Sequence, residues 1–246
     1  MRHLCIGCLP GLNVLKIKKY LRTVFRKIFP FVPPAIYALA YIYGMRLHIY
    51  PDHPQPRQIK TVVDCLKDGG IIIYPTDTVY GLGCDIFQHK AIERICRIKQ
   101  VDPQKAQLSF VCADLSDLSR YTRSISTPVY RLLKAHIPGP FTFILPASKE
   151  VPKLLKSRKN TIGLRVPDHP IARDIIAQLG HPILSSSLPG DLVEAYTDPD
   201  YIYERFGNQV DLMIDGGTGG MQYSTIVDLT GEEPVILRQG LGQFQG

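Results

Sequence analysis

The stretch from residue 71 to residue 85 constrains the fold more than any other part of this 246-residue chain. It begins with Ile-Ile-Ile-Tyr, a run that predicts a buried strand, and Pro75 then ends regular strand pairing. The loop that follows combines hydroxyls, a carboxylate, a phenol and two glycines that let the backbone approach a ligand: Thr76, Asp77, Thr78, Tyr80, Gly81 and Gly83. Open α/β sheets usually hold small molecules where a strand runs into such a loop, so this stretch predicts a binding site.

Strand-like and helix-like stretches alternate over the rest of the chain. Helices are expected at 57–67, 90–98, 129–135 and 171–179. Strands are expected at 71–74, 108–112, 141–145, 161–165, 183–185, 211–214, 225–229 and 235–238. Strands that alternate with single helices predict one α/β domain.

The formal net charge of +7 comes entirely from the N-terminal segment. Residues 1–44 contain seven Lys and Arg and no Asp or Glu, which leaves 22 basic and 22 acidic side chains in the remainder. The folded part is therefore formally neutral, and its global charge does not favour nucleic-acid binding. A local basic patch is the alternative that this charge balance leaves. Its six candidate members are Lys90, Arg94, Arg97, Lys99, Lys105 and Arg120.

Residues 1–46 form a basic and apolar extension that we expect to lie outside the fold, with the domain spanning 47–246. Apolar residues from Val14 to Ile28 follow helical spacing, with Lys and Arg on the other face. Three prolines interrupt the uncharged stretch 28–45, so no stable membrane association is expected. A surface anchor, a targeting peptide and an upstream extension before a start at Met45 remain open. The expected location of the domain is cytoplasmic.

The six cysteines do not indicate a disulfide framework in a domain of this length, so reduced thiols are expected. Cys5-Ile-Gly-Cys8 has the spacing of a metal or redox motif, but the sequence offers no second pair and no histidine cluster beside it. No metal site is predicted.

A series of motifs follows the first one in order. They are Lys99, Pro138–Thr142, Gly163–Pro170, Pro182–Ser187, Ile214–Gly217, Ser224–Asp228 and Leu237–Arg238. Together they resemble the YrdC-like family, whose best-known members are L-threonylcarbamoyladenylate synthases. Met45–Pro54 and Ile95–Lys99 resemble the YciO-like branch in particular. The resemblance implies a single α/β domain whose open, twisted, mixed sheet has a concave ligand-binding face.

The resemblance also implies a nucleotidyltransferase that converts L-threonine, bicarbonate and ATP into threonylcarbamoyl-AMP and pyrophosphate, for the t6A modification of tRNA. An adenylyl transfer depends mainly on positioning and charge stabilisation, so it needs cations and hydroxyls rather than a covalent nucleophile. ATP is expected as a substrate together with Mg²⁺, and no tightly bound cofactor is expected. A module that binds double-stranded RNA or tRNA without synthase activity is the alternative.

The site residues implied by the resemblance fall into three groups. The catalytic candidates are Lys99 and Arg165. The substrate-binding candidates are Thr76, Thr78, Thr142, Arg165, Ser185 and Thr225. The nucleotide-binding candidates are Lys99, Ser187, Thr197 and Arg238. We expect the loop 76–83, Thr142, Arg165, Ser185 and Thr225 to converge on one cleft.

Arg165 is the candidate for the substrate carboxylate, because a planar guanidinium matches a carboxylate with two parallel hydrogen bonds. Strand alternation places it with Gly163 on the face opposite Ile162, Leu164 and Val166. An arginine on such a strand must find a partner, which can be a ligand or a structural ion pair.

Two departures from the family pattern bear on activity. The Lys-x-Arg motif is Lys99-Gln100-Val101 here, and the Ser-x-Asn motif is Ser187-Leu188-Pro189. Loss of one charge-assisted contact removes about 1.5–3 kcal/mol, or roughly ten- to a hundredfold in binding or rate. Weak synthase activity, or a different nucleotide-linked substrate, is therefore expected.

Overall fold

A ten-stranded mixed sheet organises the residues that the computed structural model describes, which are 44–102, 108–152, 155, 160–190 and 194–245. Its strands are β1 Met45–His48, β2 Ile71–Tyr74, β3 Gly81–Asp85, β4 Ser109–Val111, β5 Phe141–Pro146, β6 Thr161–Arg165, β7 Ile183–Ser187, β8 Leu212–Asp215, β9 Thr225–Asp228 and β10 Val235–Arg238. They lie in the order β1-β8-β2-β3-β7-β4-β6-β5-β9-β10. Parallel pairs (β1–β8, β2–β8, β4–β6, β5–β9) are mixed with antiparallel ones, which confirms the predicted fold class.

Helices cover both faces of the sheet. They are α1 Pro56–Lys67, α2 His89–Lys99, α3 Leu115–Tyr121, α4 Thr127–His136, α5 Pro170–Leu179 and α6 Pro199–Phe206. Helices α1 and α5 bury apolar side chains against one face (the two-helix face), and the other four pack against the opposite face (the four-helix face). Strand β2 shows the alternation: Ile71 and Ile73 point to the four-helix face, whereas Ile72 and Tyr74 point to the two-helix face. None of the helices among the described residues is long and apolar enough to cross a membrane.

Several elements are absent from the sequence-based prediction, namely β1, β3, α3 and α6. The segment Gly81–Asp85, expected to belong to a loop, is a fully buried strand between β2 and β7. Its two glycines have low strand propensity, and the neighbouring strands on both sides override that preference. Strand β1 pairs in parallel with β8 from Met45 onward, so the predicted boundary at residue 47 falls inside a strand. Residues 1–43, with Cys5 and Cys8, lie outside the described residues.

The two-helix face also carries a strip of small residues across four adjacent strands. Gly83 pairs with Ser185, Ser185 with Ser109, and Ser109 with Gly163, so these four residues share one face. We call them the polar strip. None of the four has a side chain larger than a hydroxymethyl group, and the Tyr74 ring packs over the end of the strip at Gly83 and Ser185.

Candidate functional site

A buried ion pair lies next to the polar strip. Arg165, two residues beyond Gly163 on β6, pairs with Val111 on the two-helix face, as the alternation predicts. Its Nη2 donates to Asp77 Oδ1 at 2.5 Å and to Thr78 Oγ1 at 2.8 Å. The two charged side chains are only 10% and 11% exposed. Asp77 was not among the predicted site residues, although a buried arginine needs such a partner.

Three buried polar atoms around this ion pair have no hydrogen-bond partner among the described residues: Asp77 Oδ2, Arg165 Nε and His169 Nδ1. His169 precedes α5, where burial lowers its pKa while the nearby Asp77 and Asp168 carboxylates act in the opposite direction. An unsatisfied buried donor or acceptor costs about 1–3 kcal/mol. Their clustering around Arg165 marks this corner as a place where a polar ligand would restore missing hydrogen bonds.

The loop between β2 and β3 holds Asp77 and Thr78 toward Arg165. Thr76 Oγ1 donates to the Val79 carbonyl at 2.7 Å and accepts from the Thr78 amide at 3.1 Å. The Thr76 and Thr78 hydroxyls are themselves 3.1 Å apart. Thr76 therefore fixes the turn through its own backbone contacts, and Thr78 is the threonine that contacts Arg165.

Tyr74 explains the two glycines of the motif. A methyl group on Gly81 would lie 2.8 Å from the Tyr74 ring, and one on Gly83 would lie 3.0 Å from it. The glycines thus admit the Tyr74 ring, rather than opening a turn toward a ligand as the sequence suggested. The Tyr74 hydroxyl lies 2.6 Å from Ser185 Oγ, and burial raises the pKa of Tyr74 to about 12. This contact places the predicted Ser185 on the same face as Arg165.

A second polar group lies on the other side of Gly163. Thr142 Oγ1 on β5 is 2.9 Å from Ser224 Oγ, and a methyl group on Gly163 would lie 3.5 Å from the Thr142 methyl carbon. Arg238 donates through Nε and Nη2 to the Ser224 carbonyl at 3.1 and 2.9 Å. Burial lowers the pKa of Arg238, the nearby Tyr223 raises it, and the Arg165 charge lowers it further. The two arginines are thus close enough to interact electrostatically.

A shallow pocket of about 310 Å³ opens beside the Arg238 guanidinium. Its lining residues are Met221, Gln222, Tyr223, Arg238, Gln239 and Gly240. The guanidinium stacks over the Tyr223 ring at 5.0 Å from the ring centre, which holds it at the pocket wall.

Thr225 does not join the other predicted substrate residues. It pairs with Phe141, whose ring lies in the core of the four-helix face, so the Thr225 side chain points away from the polar strip. Its hydroxyl donates to the Gly242 carbonyl at 2.6 Å and accepts from the Gly240 amide at 2.9 Å. Thr225 therefore anchors the C-terminal segment, and Ser224 takes its place beside Thr142. The alternation of Thr225 with buried Val227 was the sequence pattern that could have shown this.

Lys99 and Ser187 meet at the end of β7, two residues beyond Ser185 of the polar strip. Lys99 Nζ at the end of α2 donates to the Ser187 carbonyl at 2.8 Å, and burial lowers the pKa of Lys99. Val101, which replaces the second cation of the family motif, is 37% exposed. Pro189, which replaces the motif asparagine, accepts a hydrogen bond from the Tyr196 hydroxyl at 2.8 Å.

Thr197 lies at the end of a 3₁₀ helix, Glu194–Thr197. Its hydroxyl donates to the Glu194 carbonyl, and its own carbonyl accepts from the Gly219 amide. Among the described residues, no hydrogen bond or ion pair links Thr197 to Lys99 or Ser187, so the structure does not bring it into this group.

The basic side chains proposed for a nucleic-acid patch lie on different elements where the structure describes them, and two of them already have partners. Lys90, Arg94, Arg97 and Lys99 share α2, whereas Arg120 is on α3 and Lys105 lies outside the described residues. Arg94 pairs with Asp211 at 2.8 Å, and Lys99 is bound to Ser187. Arg94 and Arg97 line one shallow pocket on α2, so the described residues bring two of the basic candidates together, one of them already paired with an acid.

An open mixed sheet that carries a polar strip on its two-helix face, beside the buried Arg165, defines the architecture of this α/β domain. Residues 64–240 match the Sua5/YciO/YrdC family model, which carries the description "Telomere recombination". This chain therefore belongs to the Sua5/YciO/YrdC family.

Three relatives show the range of this similarity. "Uncharacterized protein YciO" of Escherichia coli K12 is 46% identical over 202 residues, covering 80% of this chain and 96% of that protein. The crystal structure of E. coli YciO superposes with a TM-score of 0.76 at 43% identity, covering 81% of this chain and 97% of the other. A threonylcarbamoyl-AMP synthase of Coxiella burnetii is 33% identical over 178 residues, covering 72% of this chain and 95% of that protein. P. abyssi Sua5, crystallised with L-threonine, superposes with a TM-score of 0.71 at 28% identity, covering 80% of this chain and 58% of that chain.

Proposed function

We propose that this protein is a YciO-like nucleotidyltransferase that forms threonylcarbamoyl-AMP and pyrophosphate from L-threonine, bicarbonate and ATP. The observation that carries the proposal is the buried Arg165 beside the polar strip, with Nε unpartnered and Thr78 in contact. Support comes from the synthase name of a relative at 33% identity and from the Sua5 complex with L-threonine.

In this proposal the amino acid occupies the corner at Arg165. The guanidinium meets its carboxylate through Nε, because a buried donor without a partner is satisfied best by an anion. Thr78 and Ser185 supply hydroxyls on either side, and their own bonds to Arg165 and Tyr74 keep them in place. Pre-positioned groups lower the entropy cost of bringing the reactants together.

ATP, with the Mg²⁺ that accompanies it as part of the substrate, lies along the strip. Arg238, with Ser224 and Thr142, faces the phosphates at one side, and Lys99 at the end of α2 supplies a second cation near Ser187. These fixed charges stabilise the negative charge that develops on the transferred and leaving phosphates. No side chain has to form a covalent intermediate.

The activity is expected to be weaker than in relatives with complete motifs. Position 101 carries an exposed valine in place of a cation, and position 189 carries a proline whose carbonyl is bound to Tyr196. Each loss removes one charge-assisted or amide contact to the nucleotide, and one such contact corresponds to roughly ten- to a hundredfold in rate.

Pyrophosphate release from ATP tests this function. The full chain is incubated with ATP, Mg²⁺, bicarbonate and one amino acid at a time, and we expect release that requires both bicarbonate and L-threonine. Thr78→Val, which keeps the side-chain shape but removes the hydroxyl next to Arg165, should lower the rate about tenfold. The matched control is Thr61→Val on α1, whose hydroxyl bonds only its own helix at Arg57. Release that is independent of the amino acid, or a Thr78→Val variant as active as wild type, contradicts the proposal.

A further inference from the structure

The three unpartnered atoms at the Arg165 corner differ in chemistry. Arg165 Nε can only donate a hydrogen bond, whereas a carboxylate oxygen such as Asp77 Oδ2 can only accept one. His169 Nδ1 is the third atom, and a neutral imidazole has one nitrogen that accepts. A ligand that satisfies all three must therefore carry an acceptor and a donor within one small group.

A simple carboxylate does not meet this requirement. It would satisfy Arg165 Nε, but it would also bring a second negative charge beside Asp77, whose Oδ1 already accepts from the same guanidinium. Two carboxylates sharing one site repel each other. An α-amino acid avoids the conflict, because its ammonium group is one atom away from the carboxylate and supplies the missing donors.

We propose that Asp77, assisted by His169, is the receptor for the α-ammonium group of the substrate. The carboxylate of the same molecule binds Arg165 Nε. This inference rests on the proposed function in taking an amino acid as substrate, and it adds the group that selects amino acids over other carboxylates. Asp77 keeps its bond to Arg165 throughout, so the ligand joins the ion pair instead of breaking it.

The surroundings of His169 agree with an accepting role. Burial lowers its pKa, which favours the neutral ring, although the Asp77 and Asp168 carboxylates act in the opposite direction. The ring lies just before α5 in Gly163–Pro170, the segment that also carries Arg165, so both are positioned by one continuous piece of chain. A neutral histidine adds an acceptor without adding another positive charge next to the guanidinium.

Binding calorimetry with L-threonine and (R)-3-hydroxybutyrate, which lacks only the amino group, tests the inference on the full chain. Wild type should bind L-threonine about tenfold or more tighter than the deamino analogue. In Asp77→Asn this preference should fall to roughly threefold or less, because the repulsion and the ammonium contact disappear together. Asp64→Asn removes the same charge from the exposed surface of α1, where it pairs with Lys60, and should keep the wild-type preference.

His169→Phe provides a variant that leaves the ion pair intact. It removes the acceptor but keeps an aromatic ring, so it should weaken L-threonine binding severalfold and leave the analogue unchanged. Melting curves show whether each variant is folded. If Asp77→Asn does not fold, the wild-type ligand ratio and His169→Phe decide the question.

Three outcomes overturn the inference. Equal binding of the two ligands to wild type excludes an ammonium receptor, and so does an Asp77→Asn variant that keeps the full preference. A His169→Phe variant that weakens both ligands equally removes the role of His169. The proposed function is affected separately: it fails if wild type binds L-threonine with no measurable affinity and releases no pyrophosphate in its presence.

Discussion

Replacing Arg165 with lysine separates the two roles that the structure gives this side chain. Arg165 Nη2 donates to both Asp77 and Thr78 from a side chain that is 10% exposed. Lysine keeps the charge but presents a compact ammonium group in place of the planar fork. We expect the variant to keep an ion pair with Asp77 and to lose the bond to Thr78.

The size of the effect follows from that one lost bond. A hydrogen bond to a charged group contributes about 1.5–3 kcal/mol, so the free energy of unfolding should fall by that amount. For a domain of this size the melting temperature should fall by roughly 3–12 °C. A bound carboxylate would also lose the charge-assisted hydrogen bond that Nε donates, because lysine has no donor at that position. The affinity for L-threonine should therefore fall roughly ten- to a hundredfold.

Urea unfolding and calorimetric titration with L-threonine measure the two effects independently. Arg57→Lys, at an exposed position on α1, is the control and should change neither. An Arg165→Lys variant as stable as wild type would refute the structural half of the reasoning. A variant that is less stable but binds L-threonine normally would leave Arg165 as a structural ion pair alone and would remove the observation that carries the proposed function.

Three further predictions concern other parts of the site. Gly81→Ala should lower the free energy of unfolding by about 1–3 kcal/mol in urea titrations, since the new methyl group would lie 2.8 Å from the Tyr74 ring; unchanged stability would mean that the ring moves freely. Thr225→Val should lower the free energy of unfolding without changing the affinity for ATP, whereas Ser224→Ala should weaken ATP binding. If calorimetric titration shows that Thr225→Val weakens ATP binding and Ser224→Ala does not, Thr225 belongs to the site. Burial raises the pKa of Asp215, but the Gly217 amide and the Arg46 and His48 side chains outweigh it, so the net pKa lies below the ordinary 3.8. The ionised Asp215 carboxylate therefore stabilises the fold above pH 3.8, and this stabilisation is lost as the pH falls through the lower folded-state pKa. In urea titrations between pH 5 and pH 2, the free energy of unfolding should fall less in Asp215→Asn than in wild type.

The sequence predicted much of the sheet because the local pattern and the final environment agree. The strands at 71–74, 161–165 and 235–238 have the expected bounds, and the face of Arg165 follows from alternation alone. Strand β3 was missed because Gly-Leu-Gly-Cys-Asp has no local preference for a strand. Its neighbours β2 and β7 supply the pairing that holds it.

The sequence by itself determined the α/β class, the family motifs and the presence of an arginine that needs a partner. Only the tertiary structure decided which partner is present, because Asp77 and Arg165 are 88 residues apart and meet through strand order. Strand pairing likewise decided that Ser224 lies beside Thr142, 82 residues away in the sequence, whereas alternation with Val227 already set the face of Thr225. A shift of one residue moves every side chain of a strand to the opposite face, and register depends on contacts between distant segments that no local pattern encodes.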